Sequence, residues 1–153
     1  MFKHVLIPTD GTTLSQKTVG AGIELAKSLG ARVTGFYAAE EYPVPPFGEY
    51  VPPDLLSPEE FRANEEVRAR KILDVVEAAA KEASVVCDTK YEFGFAPWEA
   101  IVRAAKQNGC DLIFMASHGR RGLASILLGS ETNRVLTHST VPVLVYRSPK
   151  PAR

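Results

Sequence analysis

Cysteine is scarce in this chain and neither sign of charge predominates. Cys87 and Cys110 are the only two cysteines. They form no C-x-x-C pair and keep no metal-ligand spacing to histidine, so neither a disulfide framework nor a zinc site is expected. Each reads as a small, reduced core residue. His4, His118 and His138 are too scattered to form a metal site themselves. The 18 Lys and Arg are balanced by 18 Asp and Glu, and the lack of a basic excess argues against a nucleic-acid partner. Apolar runs such as 5–8 and 141–146 fall far short of the roughly 20 residues that span a bilayer. The segment 1–10 has no signal-peptide layout, and the expectation is a cytoplasmic protein without a membrane partner. What is present is 153 residues, 45% of them hydrophobic. That suffices for one domain burying roughly 70% of its unfolded surface, and it excludes intrinsic disorder.

Short β-rich runs alternate with helical stretches. Val5, Leu6 and Ile7 form a strand that stops at Pro8, before the polar turn Thr9-Asp10-Gly11-Thr12. Val19, Ile23, Leu25, Ala26 and Leu29 then recur at helical spacing, with Thr12 or Thr13 to cap the start and Gly30 to end the helix. A second strand runs from Arg32 to Ala39. The segment from Glu40 to Ser57 contains Pro43, Pro45, Pro46, Pro52 and Pro53 among Tyr42, Phe47, Tyr50 and Val51. It is unusually long for a connection, and two roles are open to it: a bridge to the next helix, or a mobile cover or partner-contact surface beside the ligand site. Ser57-Pro58-Glu59-Glu60 starts a long helix as far as Ala83, and Val85–Tyr91 reads as the third strand. A helix from Ala96-Pro97-Trp98 to Asn108-Gly109, a buried strand Asp111–Ala116, a Gly-rich stretch, a helix Ser130–Thr137 and a strand Pro142–Tyr146 complete the chain. Trp98 reads as a packing anchor. Strands joined by helices imply a parallel, doubly wound α/β sheet of five strands, whose ligand sites lie at the carboxyl ends of the strands.

The richest chemistry follows the fourth strand. Ser117-His118-Gly119-Arg120-Arg121-Gly122 leads to Gly129-Ser130-Glu131-Thr132 at the start of a helix. Glycines let backbone amides face an approaching group. A helix amino terminus favours an anion, and Ser130, Arg120 and Arg121 add a hydroxyl and two guanidiniums. These are the parts of a phosphate cradle, and an ordinary Gly-rich turn is the alternative. A G-x-x-x-x-G-K-[ST] loop is absent, as is G-x-G-x-x-G after the first strand. Gly20-Ala21-Gly22 lies inside the first helix, where close packing is its expected role. His118 beside Ser117 lacks the orienting partner that acyl-transfer chemistry needs.

Spacing and residues together resemble the universal stress proteins. Their nucleotide-binding members carry G-x2-G-x9-G-[ST] after the fourth strand, and here Ala116-Ser117-His118-Gly119, nine residues, then Gly129-Ser130 match it with Ala116 in the first glycine's place. The likeness extends to Pro8-Thr9-Asp10, the helix at 130–137 and Thr140-Val141-Pro142-Val143-Leu144-Val145. It implies a domain over 1–147 with a short tail over 148–153, and strand order 3-2-1-4-5 with helices on both faces, adenine nucleotide alpha hydrolase-like. It also implies ATP or AMP, with Mg²⁺ if ATP, held by Pro8, Thr9, Asp10, Ala38, Ala116, Ser117, His118, Gly119, Arg120, Arg121, Gly122, Gly129, Ser130, Glu131 and Thr132. Adenine would lie near Pro8 and meet the backbone around Ala38. Asp10 would reach the ribose or a nucleotide-bound Mg²⁺, since no protein-only metal site is implied; its alternative role is turn former or helix cap. Gly119, Gly129, Ser130 and Glu131 would present amides to phosphates. The methyl of Ala116 is tolerated if the backbone stays in the β region and blocks the site if φ must be positive.

The expected function is therefore that of an adenine-nucleotide-binding stress-response sensor or adaptor. No catalytic residue stands out, and at most a weak ATPase is expected. The alternatives are a dimeric interaction protein of the same family without nucleotide, or a slow ATPase. A homodimer paired through the last strand is expected, because an apolar sheet edge needs cover.

Overall fold

The computed structural model describes residues 1–44, 50–118 and 128–149. Strands β1 (His4–Pro8), β2 (Arg32–Glu40), β3 (Cys87–Gly94), β4 (Leu112–Ala116) and β5 (Val143–Tyr146) alternate with helices α1 (Thr13–Leu29), α2 (Pro58–Glu82), α3 (Pro97–Gln107) and α4 (Ser130–His138). The five strands form one parallel sheet in the order β3-β2-β1-β4-β5, as the resemblance implied. Alternation along the strands sorts the core into two layers. Val5 and Ile7 face α1 and α2 together with Val19, Ile23 and Val76. Leu6 and Phe36 face the other side, with Ala100, Ile101, Ala104 and Val135 of α3 and α4. A Cβ on Gly22 would stand 2.7 Å from Ile7 Cδ1 and 2.9 Å from Phe114 Cδ1, so this glycine sets how closely α1 approaches the sheet. Gly20 has open space beside it and plays no such part.

Three helices end in the same device. After α1, α2 and α3 the chain turns through a left-handed residue, Gly30 (φ 63°), Ser84 (φ 60°) and Gly109 (φ 66°). The following amides, Ala31, Val85 and Cys110, return to the carbonyls of Ala26, Ala80 and Ala105 at 2.9 Å each, the Schellman pattern with its buried apolar follower. This corrects the expected third strand. Val85 belongs to the helix closure, so β3 begins at Cys87 and continues past Tyr91 to Gly94. Cys87 is half-buried on this edge strand and Cys110 is buried. Burial pushes the Cys110 thiol up to about 11, against a thiolate.

A polar chain crosses the amino ends of the strands. His4 Nε2 lies 2.7 Å from Thr34 Oγ1, and the Thr34 hydroxyl donates to Asp88 Oδ1 at 2.7 Å. The amides of Lys3 and His4 donate to the Asp111 carboxylate at 2.9–3.1 Å. Burial raises the cost of an Asp111 carboxylate, but these amides hold its carboxyl below the usual range. For His4, burial and Arg32 lower the pKa from 6.5, while Asp88, Asp111 and the Gly109 carbonyl pull the other way without reversing it. The folded state thus favours neutral His4, so its stabilising contribution is complete above pH 6.5 and is lost as pH falls through the depressed folded value. Urea unfolding at pH 7 and pH 5 will show a larger acid loss for the wild type than for His4→Gln. Equal losses would mean that His4 titrates alike in both states.

Candidate functional site

Strand order reverses between β1 and β4, and there the sheet opens. The β1–β4 ladder pairs Val5 with Leu112 and Leu6 with Ile113, whereas β1–β2 pairing continues to Pro8 opposite Phe36. In doubly wound sheets such a crevice at the carboxyl ends receives the ligand. The loop after β1 is built from hydroxyls. Buried Thr9 donates its amide to the Phe36 carbonyl at 2.9 Å, and its Oγ1 accepts from Ser15 Oγ at 2.7 Å and from the Gly11 amide at 3.2 Å. The Asp10 amide donates to Ser15 Oγ at 3.1 Å. Asp10 Oδ1 accepts from the Thr12 amide at 3.0 Å and the Thr12 hydroxyl at 2.6 Å, and Thr12 Oγ1 caps α1 through the Ser15 amide. Asp10 therefore performs the turn role weighed for it. Ser15 lies outside the expected site set, because its signal, a serine three residues after a capping threonine, is an ordinary helix start.

Across the crevice, β4 and α4 are joined directly. Ala116 ends β4 in extended backbone, and Ser84 is the only non-glycine with positive φ among the described residues. The backbone of Ala116 is thus in the conformation that tolerates its methyl. Its carbonyl accepts from Thr132 Oγ1 at 2.9 Å, and the Ser117 carbonyl accepts from the Gly129 amide at 2.7 Å. Ser117 is buried, its amide donates to the Tyr146 carbonyl at 3.0 Å, and its hydroxyl lies 3.0 Å from His118 Nδ1. These bonds hold the amino terminus of α4 at the end of β4.

That terminus lacks a side-chain cap, as does that of α3, whose N-cap is Ala96. Thr12 caps α1 and Ser57 caps α2 with side-chain oxygens, and the Trp98 amide in the first turn of α3 donates to Glu131 Oε2 at 2.8 Å. The N-cap of α4 is Gly129, which has no side chain with which to accept from Ser130, Glu131 and Thr132. Glu131, in the first turn of α4, accepts the Trp98 amide at Oε2 and stands 3.8 Å from the Arg134 guanidinium of the same helix through Oε1. Trp98 packs against the α3–α4 layer with its ring 4.4 Å from that of His138, as a packing anchor.

Ala38 lies on β2, two residues beyond Phe36. Both backbone groups of a residue in a parallel strand point to the same side, and the side alternates. Phe36 bonds toward β1, so Ala38 also directs its N–H and C=O that way, past the point where β1 has ended at Pro8. The structure thus brings Pro8, Thr9, Asp10, Ala38, Ala116, Ser117, His118, Gly129, Ser130, Glu131 and Thr132 to one rim of the sheet. Gly119, Arg120, Arg121 and Gly122 lie outside the described residues, as do residues 45–49 of the proline-rich segment and 150–153 of the tail.

The sequence profile of the Universal stress protein family matches residues 1–147. The chain belongs to the universal stress protein family. A universal stress protein of Bacillus subtilis (strain 168) is 32% identical over 96% of this chain and all of its own. A universal stress protein of Methanocaldococcus jannaschii is 33% identical over 98% of this chain and 85% of its own. Among solved structures, a universal stress protein in complex with cAMP superposes with TM-score 0.69 at 24% identity, covering 97% of this chain and 99% of its own. A family protein of Arabidopsis thaliana with AMP bound superposes with TM-score 0.64 at 16% identity, covering 94% and 90%. These likenesses show that this universal stress protein shares the family fold. Among the described residues no helix is long and apolar enough to cross a membrane.

Proposed function

We propose that this universal stress protein binds an adenine nucleotide in the crevice between β1 and β4 and acts as a cytoplasmic sensor or adaptor with little or no turnover. The observation that carries the reading is the amino terminus of α4, held at the end of β4 and capped by Gly129, a residue with no side-chain acceptor. Phosphates would take the amides of Ser130, Glu131 and Thr132, where the helix dipole favours negative charge. Adenine would lie against Pro8 and the Ala38 backbone, and Asp10 would meet the ribose or a nucleotide-borne Mg²⁺. The relatives solved with cAMP and with AMP support the same ligand class. The direct test is heat release of ligand from the freshly purified protein, followed by chromatography. An adenine nucleotide in the supernatant is expected, and a protein that carries none and takes up none on incubation would retire the reading.

A homodimer through β5 is part of this proposal. β5 is an edge strand with Leu144 38% exposed, whereas the opposite edge, β3, places Asp88, Lys90 and Glu92 among its residues as charged protection. Antiparallel pairing of two β5 strands would cover the apolar edge in a closed two-fold assembly. Light scattering at micromolar concentration should return twice the chain mass, and a monomer mass would defeat the assembly.

A further inference from the structure

The apolar stripe of α2 is broken once. Ala69, Leu73, Val76 and Ala80 are its buried positions, and one turn before Ala69 the same face carries Glu65, 6% exposed. Glu65 is the one acidic residue that is buried among the described residues. Its neighbours on this face, Ala69 and Leu73, pack with Tyr37 and Ala39, so an apolar residue would suit the position. A buried carboxylate is tolerated only with hydrogen bonds, and these show what it holds. Oε2 accepts from the Tyr37 hydroxyl at 3.1 Å and from the Glu40 amide at 3.0 Å, while the guanidinium of Arg68 stands 3.6 Å from Oε1.

The Glu40 amide is informative because of its parity. Phe36, Ala38 and Glu40 direct their backbone groups to the same side of β2. Phe36 is fixed by Thr9 and Glu40 by Glu65, so Ala38 is presented between two fixed points. Adenine offers a donor at N6 beside an acceptor at N1, and one residue's C=O and N–H can match the pair. Guanine offers an acceptor at O6 and a donor at N1, which leaves both backbone groups facing groups of like kind.

We propose that Glu65 is the positioning residue of the base subsite: by holding the Glu40 amide and the Tyr37 hydroxyl it fixes the direction of the Ala38 peptide edge, and so sets selection of adenine over guanine. This rests on the nucleotide reading above. Calorimetric titration of the full chain with ATP, GTP and inorganic tripolyphosphate tests it, alongside hydrogen exchange at Glu40. Glu65→Leu should weaken ATP about tenfold, roughly the worth of one well-placed hydrogen bond, and leave GTP and tripolyphosphate within about twofold. Exchange at Glu40 should accelerate. Glu65→Gln keeps an acceptor oxygen and should restore the ATP/GTP ratio to within about threefold of wild type. An unchanged ratio in a folded Glu65→Leu protein overturns the role of Glu65, whatever Glu40 does. Should that variant not fold, Glu65→Ala removes the same carboxylate with a smaller side chain, and a ratio that stays at the wild-type value there overturns the role equally. Wild-type protein that binds neither ATP nor tripolyphosphate overturns the nucleotide reading itself, whereas ATP-selective wild type with an unaltered variant overturns only this assignment.

Discussion

Phe36→Ala should lower the free energy of unfolding by about 3–5 kcal/mol, the range for removing a fully buried phenylalanine. Phe36 has no exposed surface and lies on β2, facing Leu6, Ile113, Ala100 and Ile101. The surrounding backbone is held by strand pairing on both sides, through Pro8 of β1 and Lys90 of β3, so the space left by the ring cannot be closed by moving β2. For a chain of this size each kcal/mol shifts the melting temperature by about 2–4 °C, which gives a fall of about 6–20 °C. Urea denaturation followed by two probes measures it. A loss under about 1 kcal/mol would show that α3 and α4 settle into the cavity, and that this layer is less firmly seated than its burial indicates.

Gly129→Val should abolish the thermal stabilisation given by ATP. A ligand at a hundred times its dissociation constant that binds only the native state stabilises by about 2.7 kcal/mol, so the wild type should melt higher with millimolar ATP and Mg²⁺. Gly129 has φ −67° and ψ 157°, a β-region conformation that valine adopts readily. Its amide bond to Ser117 is untouched by the change. The substitution therefore places a branched side chain beside the α4 amides at a backbone conformation that valine accepts. The apo melting temperatures should nearly coincide while the ATP-dependent rise disappears. An unchanged rise would place the nucleotide elsewhere, and a wild type with no rise would count against nucleotide binding altogether.

β1 and β4 were legible because strands buried on both faces are continuous apolar runs, and α1 and α2 because Thr12 and Ser57 are recognisable caps. The strand order came from the family resemblance and not from periodicity, which says nothing about neighbours. β3 was misplaced because Ser84 occupies the left-handed position that Gly30 and Gly109 hold elsewhere, so the helix closure carried no glycine to mark it. Gly129 and Ser130 stood out through a glycine and a helix start, whereas Pro8, Asp10 and Ala38 came from the family resemblance. The Thr9–Ser15 hydroxyl pair and Glu65 were not legible, because a serine in a first turn and a glutamate on a long helix read as a helix start and a solvated face until the tertiary fold places Thr9 and Tyr37 beside them.

The repeated closure of α1, α2 and α3 has a consequence for how this architecture can vary. Each of those helices passes into its next strand within a few residues, through bonds that allow no extra length: Ala31, Val85 and Cys110 are at once the seal of one element and the threshold of the next. Insertions and deletions have no room along that margin. The long connections, from β2 to α2 and from β4 to α4, leave from the opposite margin, where a change of length falls outside the strand ladders. The amino ends of β2, β3 and β4 thus act as a fixed chassis, and novelty, whether arising by descent or grafted by an engineer, has its room at the other end of the strands.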